Sequence, residues 1–482
     1  MVRKIATLLI LVPAMLLFSY KPAEATSSFQ EIIAVSAILA EADSGQMLFE
    51  HNMRQRHPAD SLAKIMTLLL AVCAIESGEA TEEDLVTMTE TAWFDITNRS
   101  STQNIRPGEE MTLSDLMYSA LVGGANEACN LIAEHIAGSV DSFVEQMNVR
   151  AVELGGTNTN FTNPHGQYDV NQFTTAQDQF IIFRDAVSKP LFAEIAGVFR
   201  YTAESTNVSE VRRLTGTNSL LNSNGKYYFR HCIAGMASIT FEGGHSFVGI
   251  AESDGLSLIA VILGSDEIMM EDESFDMRNL SEARRLFEWG YSQFSWRTII
   301  SSTEPVARAP ILHGAGADFV NLRAESEIRL LLNNSILPDA FERTITIYSV
   351  ETDEPLIAPI EVGEVLGEIS LRHGGVVYGP VLLVANTSVE LHRFEFIRIQ
   401  IADMLASQTA RYVIWGLVLL LACYIALVVR YNIIRRKRLH RIALAKRRLA
   451  EERLQAQEEE RAEREYRQSR NNRPTRPGPR RN

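Results

Sequence analysis

Cysteine is scarce in this chain: four occur among 482 residues, and one of them, Cys423, sits inside a long apolar run. Cys73, Cys129 and Cys232 remain, which allows at most one bridge, so no disulfide scaffold holds the fold. There is no C-x-x-C pair and no H-E-x-x-H, and spacing alone offers no metal site. No cofactor is expected. Basic charge is also scarce over most of the chain. The formal net charge is −14, yet the stretch from Arg430 onward carries eighteen Lys or Arg against seven Asp or Glu. The N-terminal stretch as far as Ala25 is also net basic, with Arg3, Lys4 and Lys21 against Glu24. The portion between the two ends therefore carries about −27. An acidic surface of that size excludes nucleic acid and other polyanions as partners of this portion.

The ends say where the chain works. Residues 1–25 open with Arg3 and Lys4, continue through "IATLLILVPAMLLF" and close on Ala23-Glu24-Ala25. That is the pattern of a secretory signal peptide, with cleavage expected after Ala25. A second apolar run, "YVIWGLVLLLACYIALVV", is uncharged and lies between Arg411 and Arg430. Its length is that of a membrane-spanning helix, placed at 412–430. The following "RYNIIRRKRLHRIALAKRRLAEER" is rich in Lys and Arg, which puts residues 431–482 in the cytoplasm as a basic tail and residues 26–411 outside. The tail's early part suits anionic lipid or a cytoplasmic partner of unknown identity. Its later "EERLQAQEEERAEREYRQSR" mixes signs and reads as a solvated helix. The last residues, "NNRPTRPGPRRN", read as disordered.

Between these ends the texture changes once. "IIAVSAILAEADSGQMLFEHN" reads as two strands around a Ser-Gly turn, and "SLAKIMTLLLAVCAIESG" as a helix stopped by Gly78. Further helices are expected in "LSDLMYSALVGGANEACNLIAEHIAG" and "VDSFVEQMNVRAVELGG". "SFVGIAES" and "SLIAVILGS", separated by Asp-Gly, read as a hairpin. Strand, helices and strands again predict a layered α/β or α+β domain. A helical connector, "MRNLSEARRLFEWGYSQFSW", leads to short β-rich runs broken by Gly, Pro and Asp at 297–396, which suit a small all-β domain. No catalytic cluster appears in that region, and it reads as a spacer or docking module.

Within the first region, "SLAKIMT" poses a specific chemical question. Ser61 and Lys64 are three positions apart and share one helix face, so the Lys64 amine can reach the Ser61 oxygen. A neutral amine there would activate a hydroxyl that is otherwise a weak nucleophile. The bland alternative is equally physical, because Asp or Ser ahead of an apolar run is how many helices are capped.

The ordered series "SAILAEADSGQMLFEHN", "SLAKIMT", "YSALVGGANEACNLIAEHIAGS", "TNTNFTNPHG", "TTAQD" and "AESDGLSLIAVILG" resembles the low-molecular-weight penicillin-binding proteins that act as serine D-alanyl-D-alanine carboxypeptidases. The likeness covers most of residues 30–290, and the β domain and membrane anchor also look like that family's arrangement. The resemblance implies a penicillin-binding, serine β-lactamase-like fold over residues 26–290, with a helical subdomain and the site in the cleft beside the sheet. It implies removal of the terminal D-alanine from peptidoglycan stem peptides through an acyl-enzyme, and β-lactams as ligands. It makes Ser61 the nucleophile and Lys64 its base. Of the second motif, S-x-N, it leaves Gly124 for the serine and Asn126 for the asparagine. The third, K-T-G, aligns with Ala237, Ser238 and Ile239, so the lysine that grips a substrate carboxylate is missing. Lys226, Arg230, His231 and His245 flank that strand as candidate substitutes. Ser238 and Thr240 remain as substrate-binding positions on it, and the backbone near Ser61 and Thr240 as oxyanion donors.

Two functions are compatible with these residues. One is a membrane-anchored serine carboxypeptidase whose activity is weakened or redirected by the degraded motifs. The other is a non-catalytic peptidoglycan-binding or scaffold protein that keeps the cleft.

Overall fold

The computed structural model describes Phe29 and residues 32–269 and 275–470. The signal-peptide pattern at 1–25 and the tail end at 471–482 lie outside the described residues.

The first strands form where the sequence alternates around Asp43-Ser44-Gly45. β1 (Ser36–Glu41) and β2 (Met47–His51) pair antiparallel. They join three later strands, β3 (Cys232–Thr240), β4 (Gly244–Ser253) and β5 (Leu256–Ser265), in a five-stranded sheet of order β2-β1-β5-β4-β3. The Asp-Gly signal is met as expected, since Asp254 and Gly255 both take positive φ. That doubly left-handed turn matches strand twist in a two-residue hairpin.

Both faces of this sheet are covered, so its strands carry apolar residues almost without interruption. Strand periodicity sorts them: Ile38, Ala40, Val248 and Val261 enter one core, while Ala37, Leu39, Phe247 and Ile262 enter another. The first core is filled by α1 (Ala63–Ser77), which is buried on nearly all sides because helices surround it. Gly78 ends α1 in the left-handed conformation, as its position in the sequence predicts. Around α1 lie α2 (Leu113–Leu121), α3 (Asn126–Ala137), α4 (Val140–Glu153) and α5 (Ala176–Val187). The run "LSDLMYSALVGGANEACNLIAEHIAG", where helices are expected, forms two of them, divided at Gly123-Gly124, where Gly124 is left-handed. That break puts Asn126 at the head of a helix. The second core is closed by α6 (Arg278–Gln293), whose Leu280, Ala283, Leu286 and Phe287 face the sheet.

Beyond α6 the chain is strand-rich. Phe294–Ile300 pairs antiparallel with Ile328–Asn333, and Pro305–Leu312 with Phe319–Ala324. By contacts the chain forms two units. The first comprises Met1–Glu304 with Ala324–Ile345 and Glu368–Leu382; the second comprises Pro305–Arg323, Thr346–Gly367 and Leu383–Asn482. The second unit includes the long helix α7 (Gln408–Arg470). At a rise of about 1.5 Å per residue it extends roughly 95 Å. Its apolar part has a mean hydropathy of 2.6 with none of that surface buried. A row of exposed Leu, Ile, Val and Trp side chains from Tyr412 to Val429 is costly in water and matches hydrocarbon in length. The charged remainder of α7 continues the helix through the mixed-sign segment expected to be helical.

Candidate active site

Ser61 lies in a single 3-10 turn, Asp60–Leu62, that feeds directly into α1. The capping alternative fails here: Leu62 occupies the cap position of α1, and neither this helix nor the 3-10 turn has a side-chain cap bond. The Ser61 hydroxyl is half-buried and is not used by the backbone. The turn is forced into an unusual shape. Asp60 has φ of +46°. A left-handed conformation of this kind is rare for a residue with a side chain. Gly166 makes room for it, since a Cβ on Gly166 would stand 1.8 Å from the Asp60 carbonyl oxygen. The "NPHG" loop is thereby locked behind the serine, and Thr67 of α1 donates to the Pro164 carbonyl at 2.5 Å.

Lys64, the second residue of α1, is 1% exposed. Its Nζ donates to Asn126 Oδ1 at 2.8 Å and to the His165 carbonyl. Burial pushes its pKa below the ordinary lysine value, partly offset by the nearby Cys129 and Glu127. Burial thus favours the neutral amine. Asn126 opens α3, but its side chain is engaged by Lys64 rather than by the helix end, so it does not act as a cap. Cys129, one turn further along α3, is no competing nucleophile, because burial pushes its thiol up to about 12.

A second ring of residues fixes these groups, and no sequence motif marks most of it. His165 Nε2 lies 3.0 Å from Asp95 Oδ2, and Asn130 Nδ2 donates to Asp95 Oδ1 at 2.7 Å. Burial lowers the His165 pKa against the pull of Asp95. Glu127, fully buried, accepts from Thr102 Oγ1 and the backbone N–H groups of Gln103 and Ile105, and so holds the 100–105 loop on the head of α3. The "NPHG" stretch is a visible signal for part of this ring. The Asp95–His165–Lys64 path is not, since its members lie far apart in the sequence.

β3 forms the open edge of the sheet beside Ser61. Ala237 packs in the second core, opposite Phe247 and with Phe287, on the face of the sheet away from α1. Its backbone faces outward, because its C=O accepts from Thr217 Oγ1 at 2.6 Å and its N–H donates to the same oxygen at 3.3 Å. The two-residue period gives Ile239 the same outward-facing backbone, while Ser238 and Thr240 pair toward Ser246 and Gly244. The free strand donor near Ser61 is therefore the Ile239 N–H rather than that of Thr240, which closes the hairpin. Ser238 is buried and its hydroxyl has no hydrogen-bond partner among the described residues. The Thr240 hydroxyl accepts from the Gly243 N–H at 3.0 Å.

The cations that could have replaced the missing lysine are placed as follows. Lys226 pairs with Asp276 at 3.4 Å, and Arg230 donates to His231 before β3 begins. His245 sits across from Ile239 with its Nδ1 buried and unpartnered among the described residues. Lys64 and Asn126 thus meet, Ser61 lies one helical turn before Lys64, and the strand presents backbone rather than a cation.

A family model described as D-alanyl-D-alanine carboxypeptidase, peptidase S11, matches residues 23–267. The chain belongs to this carboxypeptidase family. It is 27% identical over 346 residues to D-alanyl-D-alanine carboxypeptidase DacF of Bacillus subtilis, covering 71% of this chain and 82% of that one. To DacC of Escherichia coli it is 27% identical over 380 residues, covering 77% and 89%. Among solved structures, penicillin-binding protein 5 of Haemophilus influenzae superposes with a TM-score of 0.56 at 24% identity, covering 75% of this chain and 99% of that one. Penicillin-binding protein 6B of Escherichia coli gives 0.55 at 25% identity, covering 76% and 98%. The penicillin-binding fold expected from the motif series is thus the fold of this chain, and the family is that of serine-type D-Ala-D-Ala carboxypeptidases.

Proposed function

We propose that this family member is a working enzyme that removes the terminal D-alanine of peptidoglycan stem peptides through an acyl-enzyme on Ser61. The single observation carrying this reading is the Lys64 amine, buried, depressed in pKa and aimed by Asn126 and the His165 carbonyl one helical turn from an unengaged serine. Such an amine takes the Ser61 proton as the oxygen attacks the scissile carbonyl. The substrate lies along the outer edge of β3 between Ala237 and Thr240, where the Ile239 N–H meets the developing oxyanion. Ser238 and Thr240 shape that edge. β-Lactams enter the same cleft as acylating ligands.

The chain is anchored by the apolar part of α7, with the catalytic unit outside the cytoplasm and the basic end of α7 inside. The excess of Lys and Arg after Val429 supports that orientation. The strand-rich region serves as a spacer between anchor and site.

The test is D-alanine release from a diacetylated tripeptide ending in D-Ala-D-Ala, using the full chain in detergent. Release that disappears in Ser61→Ala is expected. A folded wild-type protein that binds the peptide but releases nothing above the Ser61→Ala background would shift the function to peptidoglycan binding.

A further inference from the structure

The site described above contains a nucleophile, a base and an amide, and the proton that the departing amine needs is the one Lys64 takes from Ser61, with no hydroxyl at the second motif to relay it. Amide cleavage needs that proton, because an unprotonated amide nitrogen is a very poor leaving group. Residue 124, two before Asn126, is a glycine and offers no hydroxyl. The space a side chain would fill there is not empty: a Cβ built on Gly124 meets a single atom within 4 Å, Ser101 Oγ at 3.0 Å. We propose that Ser101, from a different segment of the chain, supplies the proton to the leaving amine. This assignment rests on the reading of the site as an active carboxypeptidase.

Three features make Ser101 more than a surface serine. Its carbonyl accepts the Asn126 N–H at 2.9 Å, so it is tied directly to the residue that holds Lys64. Its loop is fixed on both sides. Ser100 Oγ donates to Gln167 Oε1 at 2.8 Å, Gln103 Nε2 donates to the Gly123 carbonyl at 2.7 Å, and Glu127 holds Thr102 and Gln103 at 2.8 Å each. The Ser101 side chain itself is exposed and has no hydrogen-bond partner among the described residues, which leaves its hydroxyl free for a substrate. Gly124, left-handed and without a side chain, is then the residue that leaves room for the Ser101 hydroxyl.

In the acylation step, Ser61 Oγ bonds to the scissile carbon and its proton passes to Lys64. As the carbon–nitrogen bond breaks, the leaving nitrogen takes the Ser101 hydroxyl proton, and the Lys64 ammonium returns a proton to Ser101. D-Alanine departs and Lys64 is neutral again.

The experiment compares two substrates with the same acyl portion in the full chain: a peptide, whose leaving amine needs a proton, and a thiolester, whose leaving thiolate does not. Ser101→Ala is expected to lower kcat/KM for the peptide by about a hundredfold or more, in the range typical of general acid catalysis, and for the thiolester by only a few fold. Ser101→Ala combined with Gly124→Ser is expected to recover part of the peptide activity. Equal losses on both substrates would assign Ser101 to structure and overturn the proposal, as would no loss on either. A wild-type protein that turns over neither substrate would overturn the underlying reading and this assignment with it.

Discussion

Replacing Lys64 by Met removes the amine while keeping an unbranched chain of similar volume in a site that is 1% exposed. Two effects follow and can be measured separately. The first is on stability. Asn126 Oδ1 and the His165 carbonyl lose their shared donor. Each buried acceptor left unpaired costs about 1–3 kcal/mol. Relief from burying an ionisable group opposes that loss, so the net destabilisation stays small. The second is on rate: loss of a general base costs about a hundred- to ten-thousandfold, or roughly 3–5 kcal/mol of barrier. The pH profile carries the distinguishing information. The folded-state pKa of Lys64 lies below its ordinary value of 10.5. The folded protein therefore binds fewer protons than the unfolded chain between the two values. Stability contributed through Lys64 rises with pH across that window, and acylation rises with pH through the lowered value and then levels. Acylation by a labelled penicillin, followed in stopped flow against pH, reads this directly, and Lys64→Met is expected to abolish the rise. A wild-type profile whose rise is centred at the ordinary lysine value, or one unchanged in Lys64→Met, would refute the role of base.

The carboxyl of Asp60 is buried, and among the described residues neither oxygen has a hydrogen-bond partner of good geometry, although the Thr240 hydroxyl is close enough to act on it. Burial raises its pKa above 3.8, with Glu242 adding to the rise and Thr240 and His57 opposing it. An acid with a raised folded pKa is least costly when protonated, so stability falls as pH climbs from the ordinary carboxyl range through the folded value. Asp60→Asn should raise Tm at neutral pH and leave it nearly unchanged in acid; a lower Tm at neutral pH would show that the ionised form is needed. Ala237→Lys should not restore a carboxylate grip, because position 237 faces Phe247 and Phe287. Thermal melts should show a strong loss of stability from an unpaired buried ammonium, and a stable variant with faster D-alanine release would contradict that placement. Gly166→Ala puts a Cβ 1.8 Å from the Asp60 carbonyl at a left-handed position. Overpacking and backbone strain together cost about 2–5 kcal/mol. Acylation at Ser61 should fall as the turn is displaced, and unaltered acylation and Tm would show the turn to be pliable.

Several elements were legible because local and global signals agree. Gly78 ends a helix, Asp254-Gly255 turns a hairpin, and the uncharged run from Tyr412 to Val429 stands on an exposed helix, each where the residues indicate. Motif order singles out Lys64 and Asn126 together, and their hydrogen bond joins distant parts of the sequence because α3 packs against α1. Other features depend on tertiary geometry that spacing does not encode. Strand parity decides that Ala237 faces a core and that Ile239, not Thr240, points its N–H to the open edge. Asp60 reads as an ordinary helix-start acid, yet the "NPHG" loop and the β3–β4 turn enclose it. Ser101 carries no motif at all, and its relation to Gly124 appears only when the loop it sits on is seen held by Glu127.

The central claim is that Ser61 is a live nucleophile. Incubating the full chain in detergent with a labelled penicillin, then measuring intact mass and mapping the modified peptide, tests it most directly. A stoichiometric adduct on Ser61, absent in Ser61→Ala and slowed in Lys64→Met, is the expected result. A folded protein that forms no adduct at high ligand and long incubation, or an adduct that persists in Ser61→Ala, would contradict the account.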